Sequence, residues 1–127
     1  MKESDYKRRL VAAVIAAGGH ARRVEDRWAV GVLDLIIKLP GLHTIMAEGK
    51  IINGNIFGPT LAQFEEGQKW IRAGTPTLLL GWRAGVLYVS PWVKRADIRS
   101  GCMTGKHETN VIREHMMLTY LKETATK

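Results

Sequence analysis

Asp34, Glu48 and Lys50 are the residues whose types and spacing could do chemistry. They stand in Gly31-Val32-Leu33-Asp34 and, fourteen positions beyond Asp34, in Glu48-Gly49-Lys50. Both stretches are apolar and read as β-strands, where a charge is tolerated only when it is paired or bound to metal. Phosphodiester hydrolysis needs an activated water, neutralisation of the phosphate and help for the leaving oxygen. Mg2+ (or Mn2+) is a hard ion held by oxygen ligands, commonly one or two carboxylates with substrate phosphate completing the shell. Asp34 and Glu48 supply those carboxylates. Lys50 lies two residues past Glu48, so on a strand it shares that face. Its ammonium is suited to position the water or to stabilise developing negative charge. Gly49 lets backbone approach closely, which makes its carbonyl a further candidate metal ligand. Taken singly, each of these residues is more often structural, since Glu-x-Lys is common on solvated strand faces; the set together is what points to a site.

The flanking elements must bring the three together. Ser4 can cap a first helix running to about Ala17, with Leu10, Val11, Val14 and Ile15 as its apolar stripe and Gly18-Gly19 ending it. Ala21 to Val24 reads as a short strand, Glu25 to Gly31 as a loop, and Val32 to Leu39 as a strand. The Pro40-Gly41 turn leads into Leu42 to Ile52, which makes the two strands a hairpin that sets Asp34 beside Glu48. Thr60 opens a second helix to about Ala73, with Leu61, Phe64, Gln68 and Ile71 on one face. Thr77 to Trp82 and Val86 to Ser90 are strands joined at Ala84-Gly85. Lys94 to Lys106 is basic and irregular, and Glu108 to Lys122 is a last helix. This order predicts an α/β fold, a mixed sheet with flanking helices.

The chain has 127 residues, enough for one domain with a real core, and 46% of them are hydrophobic. Its net charge of +7 points to a polyanionic partner, most simply nucleic acid. Cys102 is the only cysteine, so no intrachain disulfide is possible, and the scattered histidines lack zinc spacing. The apolar run from Val11 to Ala17 is too short to span a bilayer. Gly18-Gly19 followed by Arg22-Arg23 reads as a helix end and a strand rather than a signal-peptide cleavage region. The expectation is an intracellular protein with no membrane contact, in the cytoplasm of a bacterial or phage-infected cell.

The arrangement helix, strand, Gly-x-x-Asp strand, Glu-x-Lys strand, helix, strand resembles the PD-(D/E)xK nuclease superfamily. Within it the chain is similar to virus-type VRR-NUC domains and, more distantly, to archaeal Holliday-junction resolvases. Gly31-Val32-Leu33-Asp34 stands where the superfamily usually has Gly-x-Pro-Asp; Leu33 replaces a proline that is not a ligand. Glu48-Gly49-Lys50 matches the second half of the motif. Gly58-Pro59-Thr60-Leu61-Ala62-Gln63 resembles the signature in which a glutamine opens the next helix near the metal. Thr60-x-x-Gln63 also fits a capping box, so Gln63 carries two readings. Members of the superfamily often add an acid from the first helix. Glu3 is the candidate here, Asp5 suiting the helix N-terminus electrostatically; Glu25 and Asp26 are weaker candidates. The resemblance implies a restriction-endonuclease-like αβββαβ core plus a C-terminal helix. That is a single nuclease domain over 1–127, with its core at about 1–90 and an extension over 91–127. It further implies a Mg2+- or Mn2+-dependent endonuclease acting on branched DNA such as Holliday junctions or flaps, working as a homodimer.

Three basic clusters are candidate phosphate contacts: Arg22, Arg23 and Arg27; Lys7, Arg8 and Arg9; and Lys94, Arg95 and Arg99. Such contacts supply affinity without sequence specificity. Trp28 and Trp92 beside them either stack on unpaired bases or belong to the core. Met116, Met117, Leu118 and Leu121 make the last helix apolar enough to pack on the core or on a second subunit. Two rivals stand beside the enzyme. A non-catalytic nucleic-acid binder on the same scaffold gains nothing from buried acids. A basic ribonucleoprotein component accounts for the charge but not for the motif.

Overall fold

Helix α1 (Glu3–Ala16) begins one residue before the expected Ser4 cap. Ser4 therefore lies inside the first turn, and Asp5 takes over the end: its carboxylate accepts from the Lys2 backbone N–H at 3.1 Å. This satisfies an otherwise orphaned donor and places negative charge at the positive end of the helix. Gly18, at φ +87°, adopts the left-handed conformation that closes the helix. The computed structural model describes residues 1–24, 31–105 and 107–125.

After α1 come β1 (His20–Arg23), β2 (Leu35–Lys38), β3 (Ile45–Ile51), β4 (Ile56–Phe57), α2 (Leu61–Arg72), β5 (Thr77–Arg83), β6 (Val86–Pro91), β7 (Ala96–Asp97), β8 (Met103–Gly105) and α3 (Glu108–Ala125). Six strands form one sheet in the order β1-β2-β3-β5-β6-β8, and β4 pairs separately with β7. Only β3 and β5 run parallel in the main sheet. A parallel pair needs a crossover, and α2 provides it. The expected mixed sheet with flanking helices is thus the observed architecture, and the basic stretch read as irregular contains two short strands, one of which extends the sheet.

The β2–β3 hairpin forms as expected, with Leu35 opposite Ala47 and Ile37 opposite Ile45. Both strands are shorter than the apolar pattern suggested, so Asp34 sits at the bend entering β2 rather than inside it. The cause is local. Gly31 turns at φ +84°, and the Gly49 N–H bonds the Asp34 carboxylate at 3.2 Å where a backbone ladder would have continued. The β5–β6 connection uses Ala84 and Gly85 at φ 51° and 79°, the two positive values of a type I′ turn.

Side chains alternate between two cores. On one face Leu35, Ile37, Ala47, Leu78, Leu80, Trp82 and Val89 meet Leu10 and Val14 of α1 and Val111, Ile112 and Met116 of α3. On the other, Leu33, Met46, Leu79 and Trp92 meet Phe64 and Ile71 of α2. Leu61 belonged to the expected apolar face of α2 but is exposed, because it occupies the first position of the helix, beyond the edge of that core. Trp92 is a core residue: its ring stacks on Phe64 at 6.2 Å between centroids and its Nε1–H donates to the Phe64 carbonyl at 3.1 Å. That removes it as a platform for unpaired bases. Gly67 of α2 lies flat against the indole, and a methyl there would fall well inside the ring's van der Waals surface. Gly67→Ala should therefore destabilise the protein by about 1–3 kcal/mol through overpacking. This outweighs the roughly 0.5–1 kcal/mol that alanine gains in helix propensity. Urea unfolding checks it; a more stable variant would show that α2 shifts freely away from Trp92.

Candidate active site

The hairpin register explains how the acids meet. Continuing the Leu35–Ala47 pairing by one residue sets Asp34 opposite Glu48, and opposed residues of antiparallel strands share a face. That is the α2 face, shared with Ile36 and Met46. Strand β3 is central, between β2 and β5, so Glu48 is 3% exposed. Its Oε2 lies 3.4 Å from the Lys50 ammonium. Its Oε1 is buried without a hydrogen-bond partner among the described residues. Burial first, then the negative charge of Asp34, push the Glu48 carboxyl up to about 7, against the opposing pull of Lys50 and Lys7. Asp34, Glu48 and Lys50 are thus gathered at one point of the sheet, as their spacing suggested.

The cluster has a member that sequence reasoning placed elsewhere. Its sequence neighbours Arg8 and Arg9 make Lys7 a candidate phosphate contact, yet it is only 4% exposed. Its ammonium pairs with Asp34 Oδ2 and, at 3.0 Å, with Glu3 Oε2 one helical turn earlier. Burial alone would depress the Lys7 ammonium, but hydrogen bonding and charge from Asp34, then from Glu3, outweigh it and raise its proton affinity above that of an ordinary lysine. The signal was present in the sequence: Lys7 precedes Leu10 and Val14 by three and seven positions, on the same buried stripe. Glu3, the proposed first-helix acid, lies at the cluster's border, where its Oε1 accepts from the Ile51 N–H at 3.3 Å.

Gln63 takes the capping role. Its Oε1 accepts from the Thr60 N–H at 2.9 Å, and its own N–H donates to Thr60 Oγ1 at 3.2 Å. The capped end of α2 still borders the site, because Ala62 packs against Gly31, three residues before Asp34. Among the described residues no three His, Cys, Asp or Glu side chains converge as a metal cage. The donor set is the smaller one of two carboxylates. It fits a hard divalent ion all the same: a buried oxygen lacks a partner, and the neighbouring carboxylate resists its ionisation.

Of the basic clusters, Arg8, Arg22 and Arg23 come together, lining with Val11 and Ala21 an open groove of about 400 Å³ between α1 and β1. Arg8 also pairs with Asp5 at 2.7 Å. Lys94 lies on the other side of the sheet, 5.4 Å from the centre of the Phe64 ring, with Arg95 exposed beside it. Arg99 is held bidentately by Asp97 at 2.6 and 2.9 Å. Arg27, Trp28, Glu25 and Asp26 lie outside the described residues. Among the described residues no helix is long and apolar enough to cross a membrane.

No protein-family model and no curated protein matches the chain. Solved structures do. The structure of Archaeoglobus fulgidus Hjc, a Holliday junction resolvase from an archaeal hyperthermophile, superposes with a TM-score of 0.66 at 16% identity, covering 92% of this chain and 97% of that one. The two proteins share a fold.

Proposed function

We propose that the chain is a divalent-metal-dependent endonuclease that hydrolyses phosphodiester bonds in branched DNA. One observation carries the reading: a buried, hydrogen-bond-orphaned Glu48 oxygen sits with Asp34 and Lys50 at the β2–β3 junction of a resolvase-like fold. A structural role leaves such an oxygen unexplained. In this reading Asp34 and Glu48 hold Mg2+ or Mn2+, with the Gly49 carbonyl as a further ligand and Glu3 bordering the site through Lys7. When bound, the ion polarises the phosphate and lowers the proton affinity of a water at neutral pH. Lys50 holds the attacking water or meets the charge that develops on the phosphate. Gln63, through the cap of α2, keeps the Gly31–Asp34 segment in place. Arg8, Arg22 and Arg23 grip phosphates on one side of the sheet, and Lys94 and Arg95 on the other. Exposed Met117 and Leu118 on α3 support pairing of two copies, which would present two sites to a junction. The narrower similarity to VRR-NUC domains, and a cytoplasmic bacterial or phage setting, belong to the same proposal.

A second reading, a non-catalytic DNA binder on this scaffold, is favoured by the Lys7–Asp34 pair, which already neutralises one acid. Cleavage of labelled four-way junction, flap and linear duplex, with Mg2+ and with EDTA, decides between them. Lys50→Ala should lower cleavage by about a hundredfold, the loss typical of one removed charge-stabilising donor, while DNA affinity is retained. Binding without metal-dependent cleavage on every substrate would leave only the second reading.

A further inference from the structure

We infer that Lys7 is the internal counter-ion of the acid cluster, a positioning residue whose ammonium holds the place at Asp34 that a divalent cation must take. The inference rests on the proposal that Asp34 and Glu48 bind metal, and concerns how that binding is controlled.

Lys7 reaches the acids from the wrong side. It belongs to α1, which covers one face of the sheet, whereas Asp34 and Glu48 share the α2 face. Gly49 gives it passage. A Cβ there would stand 3.0 Å from Lys7 Cε and 2.7 Å from the Trp82 ring, so a side chain on β3 would crowd the lysine's path. Through this gap the ammonium meets Asp34 Oδ2 while the Gly49 N–H holds Oδ1, and both oxygens of Asp34 are engaged. Glu3 fixes the ammonium from the preceding turn at 3.0 Å. Lys50 pairs with Glu48 on the other flank. Three carboxylates thus face two ammonium groups, and the cluster is nearly compensated by its own side chains.

A compensated cluster binds cations weakly. An ion entering between Asp34 and Glu48 meets the positive charge of Lys7 at close range and must displace it from Asp34 Oδ2. Lys7 therefore sets the metal affinity of the free protein low and keeps the acids in position until an ion arrives. Removing its charge should tighten metal binding and, without metal, loosen the fold through repulsion between Glu3, Asp34 and Glu48.

Calorimetric titration with MnCl2, in the absence of DNA, tests this on the full chain. Lys7→Met should bind Mn2+ about tenfold more tightly than the wild type, as loss of one nearby like charge requires. Its melting midpoint should fall in EDTA and rise further than the wild type's on adding Mn2+. Arg9→Met, an exposed charge on the same helix, should change Mn2+ affinity less than about twofold, by distance and screening. If Lys7→Met does not fold without metal, Lys7→Gln retains a donor for Asp34 without the charge and carries the same expectation. Equal or weaker Mn2+ binding in both Lys7 variants overturns the inference, and with wild-type cleavage intact it overturns this inference alone. Absence of Mn2+ binding in every protein removes the metal reading together with it.

Discussion

Glu48→Gln is expected to lose metal-dependent cleavage of a four-way junction by roughly a thousandfold or more, and yet to be the more stable protein at pH 8 without metal. The activity loss follows from the proposed ligand role. An amide cannot replace a carboxylate beneath a hard cation, and the charge stabilisation supplied by a bound ion is several kcal/mol, each 1.36 of which is about tenfold in rate. The stability gain follows from burial. The Glu48 carboxyl titrates near 7 in the folded chain against 4.5 ordinarily. Between those values the native protein keeps a proton that the unfolded chain has released. Stability therefore falls as pH rises through that window, by about 3 kcal/mol in all if Glu48 acted alone. Glutamine carries no such proton and should flatten the dependence. Urea unfolding at pH 5 and pH 8 in EDTA measures both arms. Parallel wild-type and variant stabilities across that range would show that Glu48 is solvated or paired well enough to ionise freely. Metal binding needs the ionised carboxylate, so Mn2+ affinity of the wild type should rise from pH 6 to pH 8.

Trp82→Ala should cost about 3–5 kcal/mol, the range for emptying a fully buried large aromatic site. Trp82 has no solvent exposure. Its ring stacks on Tyr6 of α1 at 5.6 Å and 12°, and its Nε1–H donates to Glu108 of α3 at 3.4 Å. Tyr6 in turn accepts from the Gly85 N–H at 3.1 Å, so one indole ties both helices of that face to β5 and its turn. The same ring packs against Gly49, between Glu48 and Lys50, and thereby backs the acid cluster. The loss should appear in the urea midpoint. The milder Trp82→Phe, which keeps the stack and loses the hydrogen bond, should recover most of it. Equal losses in the two variants would put the energy in the Glu108 bond rather than in packing.

Much of this was legible in the residue order. Period-two apolar stretches and turn residues at Pro40-Gly41 and Ala84-Gly85 specify the hairpins, because side-chain direction along a strand is a local property. Thr60 and Gln63 announced the start of α2 for the same reason: a cap is satisfied within four residues. Strand ends were less legible. Asp34 is excluded from β2 by a bond from Gly49, fifteen residues away, which no local pattern records.

The cores and charges divide along the same line. Trp92 stands beside Val93 and Lys94 and is equally suited by sequence to solvent or core; Gly67, on another element, makes the flat surface that buries it. Lys7 is the clearest case. Its neighbours Arg8 and Arg9 make it read as one of three surface cations, and its place one turn below Leu10 was a weak hint against that. The short strands β4, β7 and β8 were not legible in the residue order. The amino-acid sequence alone determined the order of the three helices and the five longer strands, the hairpin that opposes Asp34 to Glu48, and the shared side of Glu48 and Lys50. These depend on backbone periodicity and turn chemistry, which act over a few residues. Only the tertiary structure decided that Glu48 would be dry enough to hold its proton near neutrality and that Lys7 would cross the sheet at Gly49 to reach Asp34. Desolvation and ion pairing depend on what distant segments bring into contact, and that information exists only once the chain has closed on itself.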